Sequence, residues 1–528
     1  MSALPAANVS LPAQPDTVRL NLVCGNGLAT GVSAGTGPGG EQSGMTRGEL
    51  QLKDRSVYLV GIGGCGMSGL ARLMLARGAQ VSGSDMYASP FTDSLASEGV
   101  KVGFDQARAW LPDACNLVVH SAAIKTDHPQ VAEAARRGIP TLSYAQALGA
   151  CMEGTTGVAI AGTHGKSTTT AMLGVALADA GLDPSVIVGA TCPQLGGNFR
   201  LGATTLPKGS LRGQPGLLLA EACEFNRSFH NYRPRVAAIT AVEADHLDIY
   251  GSLDAVVEAF REFARLIPPA AAGGLLLIAD KGAHRREVTA GIECEVQTIG
   301  FSPAADWAVQ WEMSTRHTAL IRKGHGLVAA WMTPLPGEHN AMNAATACAL
   351  ATLVGADPDR IAASLGQFRG LERRTQYLGE RLVRGGGVVR VYDDYGHHPT
   401  EVETTLRALR DFEKPEQHGG RLICVFQPHQ HSRTRHLLEE FASAFAAADL
   451  VIVPDIYFVR DSIAEKHLVS ATDLVDRLRA KGVHAMHLYP FDAIVEQLGI
   501  VCRAGDLLVV MGAGPVDKVA KGFMKSGT

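Results

Sequence analysis

The chain has 528 residues, a length that predicts about three or four domains of ordinary size. Apolar residues make up 46% and charged residues 19%, as expected for a soluble, globular protein with a large interior. The formal net charge of −4 lacks the basic excess of a nucleic-acid-binding surface. We therefore expect no nucleic-acid partner.

The ten cysteines are scattered singly, without the Cys or Cys/His spacing of a zinc site or a disulfide framework. They are expected to be reduced thiols. No run of about 18 apolar residues is present that would span a membrane. The N-terminus lacks the basic start and long apolar core of a secretion signal. These features predict a cytoplasmic protein without a membrane partner.

Residues 1–50 are rich in Ala, Gly, Ser, Pro and Asn and predict a mostly flexible extension, in which VRLNLV is the candidate strand. From Ser56 onward, apolar strands alternate with helices in three successive blocks, a βαβ pattern that predicts parallel sheets. We expect an α/β fold of three domains. These are a Rossmann-like domain (51–152), a P-loop ATPase-like central domain (153–371) and a Rossmann-like C-terminal domain (372–528).

The segment GTHGKST follows a predicted strand and opens a predicted helix. A glycine-rich turn there points backbone N–H groups at a phosphate, and the helix N-terminus adds positive potential. Lys166 is placed to reach the β- and γ-phosphates, and Ser167 to bind Mg²⁺. The first glycine of a strict P-loop would fall at Ile160, so this is a shortened variant. The alternative is a tight turn with an exposed lysine. The candidate ATP-binding residues are Gly162, Thr163, His164, Gly165, Lys166, Ser167 and Thr168.

Ionisable residues follow the next two predicted strands. Glu221 and Glu224 come after GLLLA, and Glu243, Asp245 and His246 come after VAAIT. Ligands collect at the carboxyl ends of strands in open α/β sheets. Carboxylates and imidazoles there can hold Mg²⁺ beside phosphates. The sequence therefore predicts metal ligands among these residues, and a solvated loop charge is the alternative for each.

A first glycine loop, GIGGCG, matches G-x-G-x-x-G after a strand and before a helix, and Asp85 ends the next strand. This is the dinucleotide fingerprint, with an acid placed for a ribose hydroxyl. This loop requires only that its ligand carries a diphosphate, which binds at the helix N-terminus. A nicotinamide dinucleotide and a UDP-sugar therefore both remain open.

Two late segments concentrate ionisable groups at strand ends. DDYGHHP at 393–399 places acids and histidines beside a glycine, and FQPHQHSRTR at 426–435 offers basic donors for a carboxylate. Histidines hydrogen-bonded within loops are the alternative for each imidazole.

From about Ser56 to the C-terminus the chain resembles the Mur ligase family. The resemblance lies in the content and order of GIGGCGMSGLA, HSAAI, GTHGKSTTT, EADHLDIYG, GEHNAMNA, DDYGHHPTE and FQPHQHSRTR. It implies that the three domains bind a UDP-sugar, ATP and an amino acid in that order. It also implies joining of L-alanine to the carboxylate of UDP-N-acetylmuramate through an acyl-phosphate, with ATP and Mg²⁺. The enzyme would be a monomer or homodimer acting on small molecules in peptidoglycan precursor synthesis.

The resemblance also assigns site residues. The implied catalytic residues are Lys166, His246, Arg373, Arg374 and Asp394. The implied UDP-sugar site comprises Gly61, Gly63, Gly64, Gly66, Asp85, His120 and Ser121. Asn340 and Asn343 join the ATP site, facing the nucleotide base and ribose. The implied amino-acid site is His397, His429 and Arg433, and the implied Mg²⁺ ligands are Ser167, Glu221 and His246.

Two residues depart from the family pattern. Gln430 stands where the family usually has arginine, and His431 where tyrosine is common, so the preferred amino acid is open. One alternative is the family's recycling ligase, which attaches a tripeptide to the same UDP-sugar. Another is an NAD-dependent oxidoreductase, which would leave most of the segments without a role. A non-catalytic UDP-sugar-binding relative would be expected to lack Lys166, Glu221 or His246.

Overall fold

The computed structural model describes residues 50–526. The predicted extension and its candidate strand VRLNLV, up to residue 49, lie outside the described residues. Within residues 50–526 three β-sheets follow one another along the chain, each packed against helices. The predicted fold class, three successive α/β units, is confirmed.

The first unit contains a parallel five-stranded sheet. Its strands are β1 (Ser56–Val60), β2 (Gln80–Ser84), β3 (Lys101–Gly103), β4 (Leu117–His120) and β5 (Thr141–Ser143). Its helices are α1 (Cys65–Ala76), α2 (Pro90–Ser97), α3 (Pro129–Arg136) and α4 (Tyr144–Met152). The strand order is β3-β2-β1-β4-β5. The loops after β1 and β4 therefore meet where the strand order reverses, which is where ligands bind in open α/β sheets.

The central unit contains a ten-stranded sheet. Its strands are β6 (Thr156–Ala161), β7 (Ser185–Cys192), β8 (Gly197–Arg200), β9 (Leu217–Glu221), β10 (Val236–Ile239), β11 (Leu275–Ala279), β12 (Glu295–Gly300), β13 (Trp307–Glu312), β14 (His317–Arg322) and β15 (Gly326–Met332). Its helices are α5 (Lys166–Asp179), α6 (Leu247–Tyr250), α7 (Leu253–Ala264), α8 (Arg285–Thr289), α9 (Glu338–Leu353) and α10 (Pro358–Leu365). The order is β15-β14-β13-β12-β11-β10-β6-β9-β7-β8. The pairs β7–β8, β13–β14 and β14–β15 are antiparallel, and the other pairs are parallel.

The third unit contains a six-stranded sheet. Its strands are β16 (Gln376–Leu382), β17 (Val388–Asp394), β18 (Leu422–Phe426), β19 (Leu450–Val453), β20 (Ala485–His487) and β21 (Leu507–Met511). Its helices are α11 (Pro399–Glu413), α12 (His431–His436), α13 (Leu438–Ser443), α14 (Ala471–Ala480), α15 (Phe491–Val501) and α16 (Asp517–Lys525). The order is β16-β17-β21-β18-β19-β20, and only the β16–β17 pair is antiparallel.

The inner strands are buried along their whole length, which explains their unbroken apolar sequences. Every residue of β18 (LICVF) and β21 (LLVVM) is buried, and apolar clusters cover both faces of this sheet. Helices on both faces of a parallel sheet produce this burial. In the central unit residues 167–177 of α5 are all buried, and α5 packs against the alanine-rich helix α9. The helix that follows the phosphate loop is therefore rigidly held.

The three sheets fall inside the predicted domains 51–152, 153–371 and 372–528. The boundaries themselves stay predictions. None of the helices within residues 50–526 is long and apolar enough to cross a membrane.

Candidate active site

The loop between β6 and α5 is closely packed and ends at an uncapped helix N-terminus. Gly162 has a φ of +131°, and Gly165, the residue before the helix, has a φ of +78°. A Cβ at Gly162 would lie 2.1 Å from Thr240 Oγ1, and one at Gly165 would lie 2.5 Å from Asn343 Oδ1. Both positions therefore require glycine. The helix N-terminus has no side-chain cap, which favours an anion at this point.

Lys166 folds back over this loop. Its Nζ donates hydrogen bonds to the carbonyl oxygens of Gly162 (2.5 Å) and Thr163 (3.1 Å), and it lies 3.0 Å from Glu224 Oε2. Burial lowers the pKa of Lys166, but the neighbouring acidic groups, with Glu224 the strongest, together outweigh burial and raise the pKa above its ordinary value. The lysine is therefore a full positive charge beside the loop at neutral pH.

Ser167 and Glu221 place two oxygens beside the same loop. Ser167 Oγ donates to Glu221 Oε2 over 2.8 Å, and the Gly189 N–H donates to the same carboxylate oxygen over 2.9 Å. Hydroxyl and carboxylate oxygens are the hard ligands that Mg²⁺ prefers. These residues, at the helix start and the end of β9, fit the ion that the sequence predicts here.

A second group of possible metal ligands lies close by. Its ligand atoms lie within 4.8 Å of one another and come from Glu224, Asp245 and His246. Asp245 Oδ1 accepts hydrogen bonds from Arg433 Nε (3.2 Å) and Nη2 (2.9 Å). Burial lowers the pKa of His246 to about 4, so its imidazole is neutral at pH 7 and can coordinate a metal.

A cavity of about 270 Å³ adjoins the phosphate loop between the central and third units. Asn340 and Asn343 line it, and Asn343 Nδ2 donates to Asn340 Oδ1 over 3.3 Å. Ile239 and Leu277 add apolar walls. His339 also lines the cavity, and burial lowers its pKa to about 4. Apolar walls with a few polar groups suit a nucleotide base.

Arg373 and Arg374 are adjacent in sequence but face different surroundings. Arg373 Nη2 donates to the carbonyl oxygens of Gly512 (2.6 Å) and Gly514 (3.1 Å), within the third unit. Both arginines line a larger cavity that contains Ser167, and Arg374 also lines the base cavity. Arg374 therefore lies at both cavities beside the phosphate loop, whereas Arg373 lies at one of them.

Asp394 holds the backbone on both sides of this junction. Its carboxylate is buried and accepts hydrogen bonds from the backbone N–H groups of Thr375 and Gly396, both at 2.6 Å. Burial raises the pKa of Asp394, although the Arg374 guanidinium acts in the opposite direction. Asp394 thus positions the turn that carries Arg374.

His164 links the phosphate loop to the third unit. Its Nε2 lies 3.3 Å from Glu243 Oε2, and its Nδ1 lies 3.2 Å from Glu401 Oε1 at the start of α11. Thr400 Oγ1 donates to Glu243 over 2.8 Å. Burial lowers the pKa of His164, but hydrogen bonds to the two carboxylates outweigh it and raise the pKa to about 9. A protonated imidazole between two acids holds the two units together.

The predicted amino-acid residues lie together where β17 and β18 end. The rings of His397 and His429 are 5.8 Å apart, and Arg433 Nη1 lies 3.3 Å from His429 Nδ1. Burial lowers the pKa of His397 to about 4 and that of His429 to about 3. Both imidazoles are therefore neutral at pH 7. The charge of Arg433 is balanced by Asp245, a residue of the central unit.

In the first unit the glycine loop after β1 is folded against Asp85. The Gly63 N–H donates to Asp85 Oδ2 over 2.8 Å, so this carboxylate oxygen already has a backbone partner. Gly61 has a φ of +83°, and a Cβ there would lie 3.0 Å from Ser121 Oγ, in the loop after β4. The loops of β1 and β4 therefore meet at the reversal of strand order.

Other predicted residues of this unit are placed as follows. A Cβ at Gly66 would lie 2.9 Å from the Tyr144 ring, so α1 and α4 approach closely there. Gly64 precedes α1, which has no side-chain cap. His120 lines a separate cavity of about 600 Å³, which extends to Asn226 and Asn231 of the central unit.

A cavity of about 670 Å³ is shared by all three units. Cys65 and Phe91 from the first unit, Ser167 and Glu221 from the central unit, and Arg374 from the third contribute to its lining. The structure thus brings two of the three predicted metal ligands, Ser167 and Glu221, to one place with Arg374. Two residues that line the smaller cavity between the central and third units were missed by the sequence analysis. Glu401 lies four residues after His397 in DDYGHHPTE, and His339 directly precedes Asn340 in GEHNAMNA. Their places in these motifs, next to residues assigned to the site, could have identified both.

Comparisons with known proteins agree with this architecture. Residues 56–156 match the family description "Mur ligase family, catalytic domain", residues 160–351 match "Mur ligase middle domain", and residues 373–514 match "Mur ligase, glutamate ligase domain". A protein of Agathobacter rectalis named UDP-N-acetylmuramate–L-alanine ligase is 36% identical over 89% of this chain and 97% of its own length. A protein of the same name from Kineococcus radiotolerans is 40% identical over 88% and 94%.

Two solved structures share the fold at lower identity. UDP-N-acetylmuramate–alanine ligase from Thermotoga maritima has a TM-score of 0.70 and 23% identity, covering 89% of this chain and 98% of its own. Murein peptide ligase from Psychrobacter arcticus has a TM-score of 0.67 and 24% identity, with the same coverage. At these identities both support the three-unit fold alone.

Proposed function

This chain belongs to the Mur ligase family, and we propose that it joins L-alanine to the carboxylate of UDP-N-acetylmuramate. It is an ATP-dependent carboxylate–amine ligase of peptidoglycan precursor synthesis. The name shared by relatives that cover most of the chain supports the choice of substrates. The observation that carries the proposal is the convergence of Lys166, Ser167, Glu221 and Arg374 around the phosphate loop, where all three units meet.

The first chemical step must bring two anions together. The muramoyl carboxylate attacks the γ-phosphorus of ATP, and the products are an acyl-phosphate and ADP. Lys166 and Arg374 lower the repulsion between carboxylate and phosphate because both stay positively charged. When bound at Ser167 and Glu221, with His246 as the proposed ligand of a second ion, Mg²⁺ supplies further positive charge. Asp394 acts by fixing the turn that carries Arg374.

The second step is attack by the amino group of L-alanine on the activated carbonyl carbon. A tetrahedral intermediate forms from the unprotonated amine, and inorganic phosphate leaves as hydrogen phosphate, with one oxygen of the former carboxylate and the proton that the nitrogen loses. His397 is neutral at pH 7, and because its Nδ1–H donates to Tyr395 O, its Nε2 can accept a hydrogen bond from the incoming amino group. His429 is also neutral, and its Nδ1 accepts from Arg433, so neither imidazole repels the amine.

An acyl-phosphate must be kept from water until the amine arrives. The contacts of His164 with Glu401, and of Arg433 with Asp245, close the third unit over the central unit. Closure of this kind excludes water from the reacting groups. Asn340 and Asn343 are assigned to the base and ribose of ATP, and Thr163 and Thr168 to its phosphates.

The UDP-sugar is assigned to the first unit. Its diphosphate is expected at the loop containing Gly61, Gly63, Gly64 and Gly66, where α1 begins without a side-chain cap. His120 and Ser121 lie at the end of β4, the strand beside β1 in the sheet, where they can reach the sugar. Asp85 keeps its proposed role towards the ribose: its Oδ2 accepts from the Gly63 N–H and its Oδ1 from the Met86 N–H, and each oxygen retains a second lone pair.

We also propose that the domain boundaries lie near residues 152 and 371. The enzyme is proposed to act in the cytoplasm, as a monomer or homodimer, without nucleic-acid or membrane partners. Sedimentation of the purified chain would distinguish the two oligomeric states.

The experiment that tests the function measures phosphate release with Mg-ATP and UDP-N-acetylmuramate. L-Alanine, glycine, L-serine and L-Ala-D-Glu-diaminopimelate are added one at a time. Release should require both the UDP-sugar and L-alanine and should vanish in Lys166→Ala. Release only with the tripeptide would assign the recycling activity instead. No release with any acceptor would overturn the ligase assignment.

A further inference from the structure

The proposed amino-acid site must bind a carboxylate, but its most obvious cation is already neutralised. The Arg433 side chain is only 6% exposed and donates two hydrogen bonds to Asp245, which is 8% exposed. The position after His429, where an arginine would supply a second cation, is the uncharged Gln430. A free positive charge is therefore needed from elsewhere in the chain.

Arg460 carries such a charge at this site. Its guanidinium lies over the ring of Phe225, 4.5 Å from the ring centroid, and Phe225 in turn packs edge-on against His246 at 5.0 Å. Arg460 is exposed, and no carboxylate within residues 50–526 lies within 4.0 Å of its guanidinium nitrogens. The cation thus reaches from the third unit to the central unit without an acidic partner.

The loop that carries Arg460 is fixed to the amino-acid site on both sides. Tyr457 donates its N–H to Pro428 O over 2.9 Å and accepts from Gln430 N over 3.1 Å. On the other side, Asp461 accepts hydrogen bonds from Ser432 Oγ (2.5 Å) and from the backbone N–H at the start of α12.

Two further observations place Arg460 beside His429. The ring of Tyr457 lies 5.7 Å from that of His429. The Arg460 charge also contributes, after burial, His397 and Arg433, to the low pKa of His429. The guanidinium is therefore held near His429 by its own loop and by Phe225.

We infer that Arg460 binds the carboxylate of the amino-acid substrate and so selects an α-amino acid over an amine without a carboxylate. This rests on the proposed function. Arg460 has a φ of +63°, an uncommon backbone conformation for a residue other than glycine, kept here by the anchored loop. Phe225 provides a surface on which the guanidinium can lie while its N–H groups stay free for the ligand. No covalent step involves this residue.

The test compares Arg460→Ala, Arg460→Lys and the wild type in steady-state kinetics. Arg460→Ala should raise KM for L-alanine about tenfold to hundredfold, because the variant loses a charged hydrogen bond to the ligand. The KM values for ATP and UDP-N-acetylmuramate should not change. Arg460→Lys should fall between, because lysine keeps the charge but loses the two-pronged donor.

L-Alaninamide separates carboxylate binding from a general effect on the site. As a substrate or as a competitive inhibitor, it should bind equally to wild type and Arg460→Ala, because it lacks the carboxylate. The matched control is Arg435→Ala, which removes an arginine of α12 that is paired with Glu465 and should leave KM for L-alanine unchanged. Thermal melts check that each variant is folded.

An unchanged KM for L-alanine in Arg460→Ala, or equal losses for L-alanine and L-alaninamide, would overturn the inference. Failure of the proposed function looks different, because the wild type itself would then not use L-alanine. In that case the same variants are compared with whichever acceptor the wild type uses, and the carboxylate assignment is tested on that acceptor.

Discussion

Replacing Arg433 by methionine leaves Asp245 as a buried carboxylate without its cation. The two side chains are 6% and 8% exposed, and two guanidinium nitrogens share one carboxylate oxygen at 2.9 and 3.2 Å. Burial raises the pKa of Asp245, but Arg433, the strongest of the opposing groups, acts together with the nearby histidines to hold the pKa far below its ordinary value. Breaking such a pair from one side costs about 3–5 kcal/mol.

The cost should appear as weaker attachment of the third unit, since Asp245 follows β10 of the central unit and Arg433 lies on α12. The assay is urea unfolding of the wild type, Arg433→Met, Asp245→Asn and the double variant. The double variant should lose less than the sum of the single losses, with a coupling of about 2 kcal/mol. The exposed pair Arg479–Asp476 serves as the control and should show a coupling below about 1 kcal/mol. Additive losses at Asp245 and Arg433 would refute the reasoning.

Three further predictions concern the phosphate loop. Protonated His164 should contribute about 3 kcal/mol to the free energy of unfolding. This contribution should be complete below about pH 6.5 and lost as pH rises through about 9. Thermal melts of His164→Gln should therefore show a flatter pH profile than those of the wild type. Gly165→Ala should raise KM for ATP by about tenfold or more, because φ is +78° and the new Cβ meets Asn343. Gly291→Ala, with a φ of +70° and open space, should leave this KM unchanged. Glu221→Gln should raise the Mg²⁺ concentration for half-maximal phosphate release by about tenfold or more.

Each of these predictions has a result that contradicts it. The role of His164 would be wrong if wild type and His164→Gln lost stability equally between pH 6.5 and 9. Equal KM values for ATP in Gly165→Ala and Gly291→Ala would mean that the contact with Asn343 does not matter. An unchanged Mg²⁺ requirement in Glu221→Gln would remove that carboxylate from the proposed metal site.

Much of the fold was predictable because its signals are local. Parallel strands covered by helices on both faces are unbroken apolar runs, as in LICVF and LLVVM. The phosphate loop was recognisable because its glycines, Lys166 and Ser167 are neighbours in sequence and need no tertiary contact to be identified. The same holds for the glycine loop that follows β1.

Contacts between the units were not predictable from the sequence. His164 meets Glu401 across 237 positions, and Arg433 meets Asp245 across 188. A pattern in one segment says nothing about which distant charge lies opposite it. The different surroundings of Arg373 and Arg374 also needed the structure. The two residues are neighbours in the chain, but Arg373 has a left-handed φ of +57° and donates to backbone carbonyls of the third unit.

The central claim is that the carboxylate of UDP-N-acetylmuramate becomes an acyl-phosphate at the site formed by Lys166, Ser167 and Arg374. The most direct test uses UDP-N-acetylmuramate labelled with ¹⁸O in this carboxylate, together with Mg-ATP and L-alanine. Mass spectrometry of the released phosphate should find one ¹⁸O atom from the carboxylate in each phosphate. Phosphate without the label would show that the γ-phosphoryl group went to water, and would contradict the mechanism.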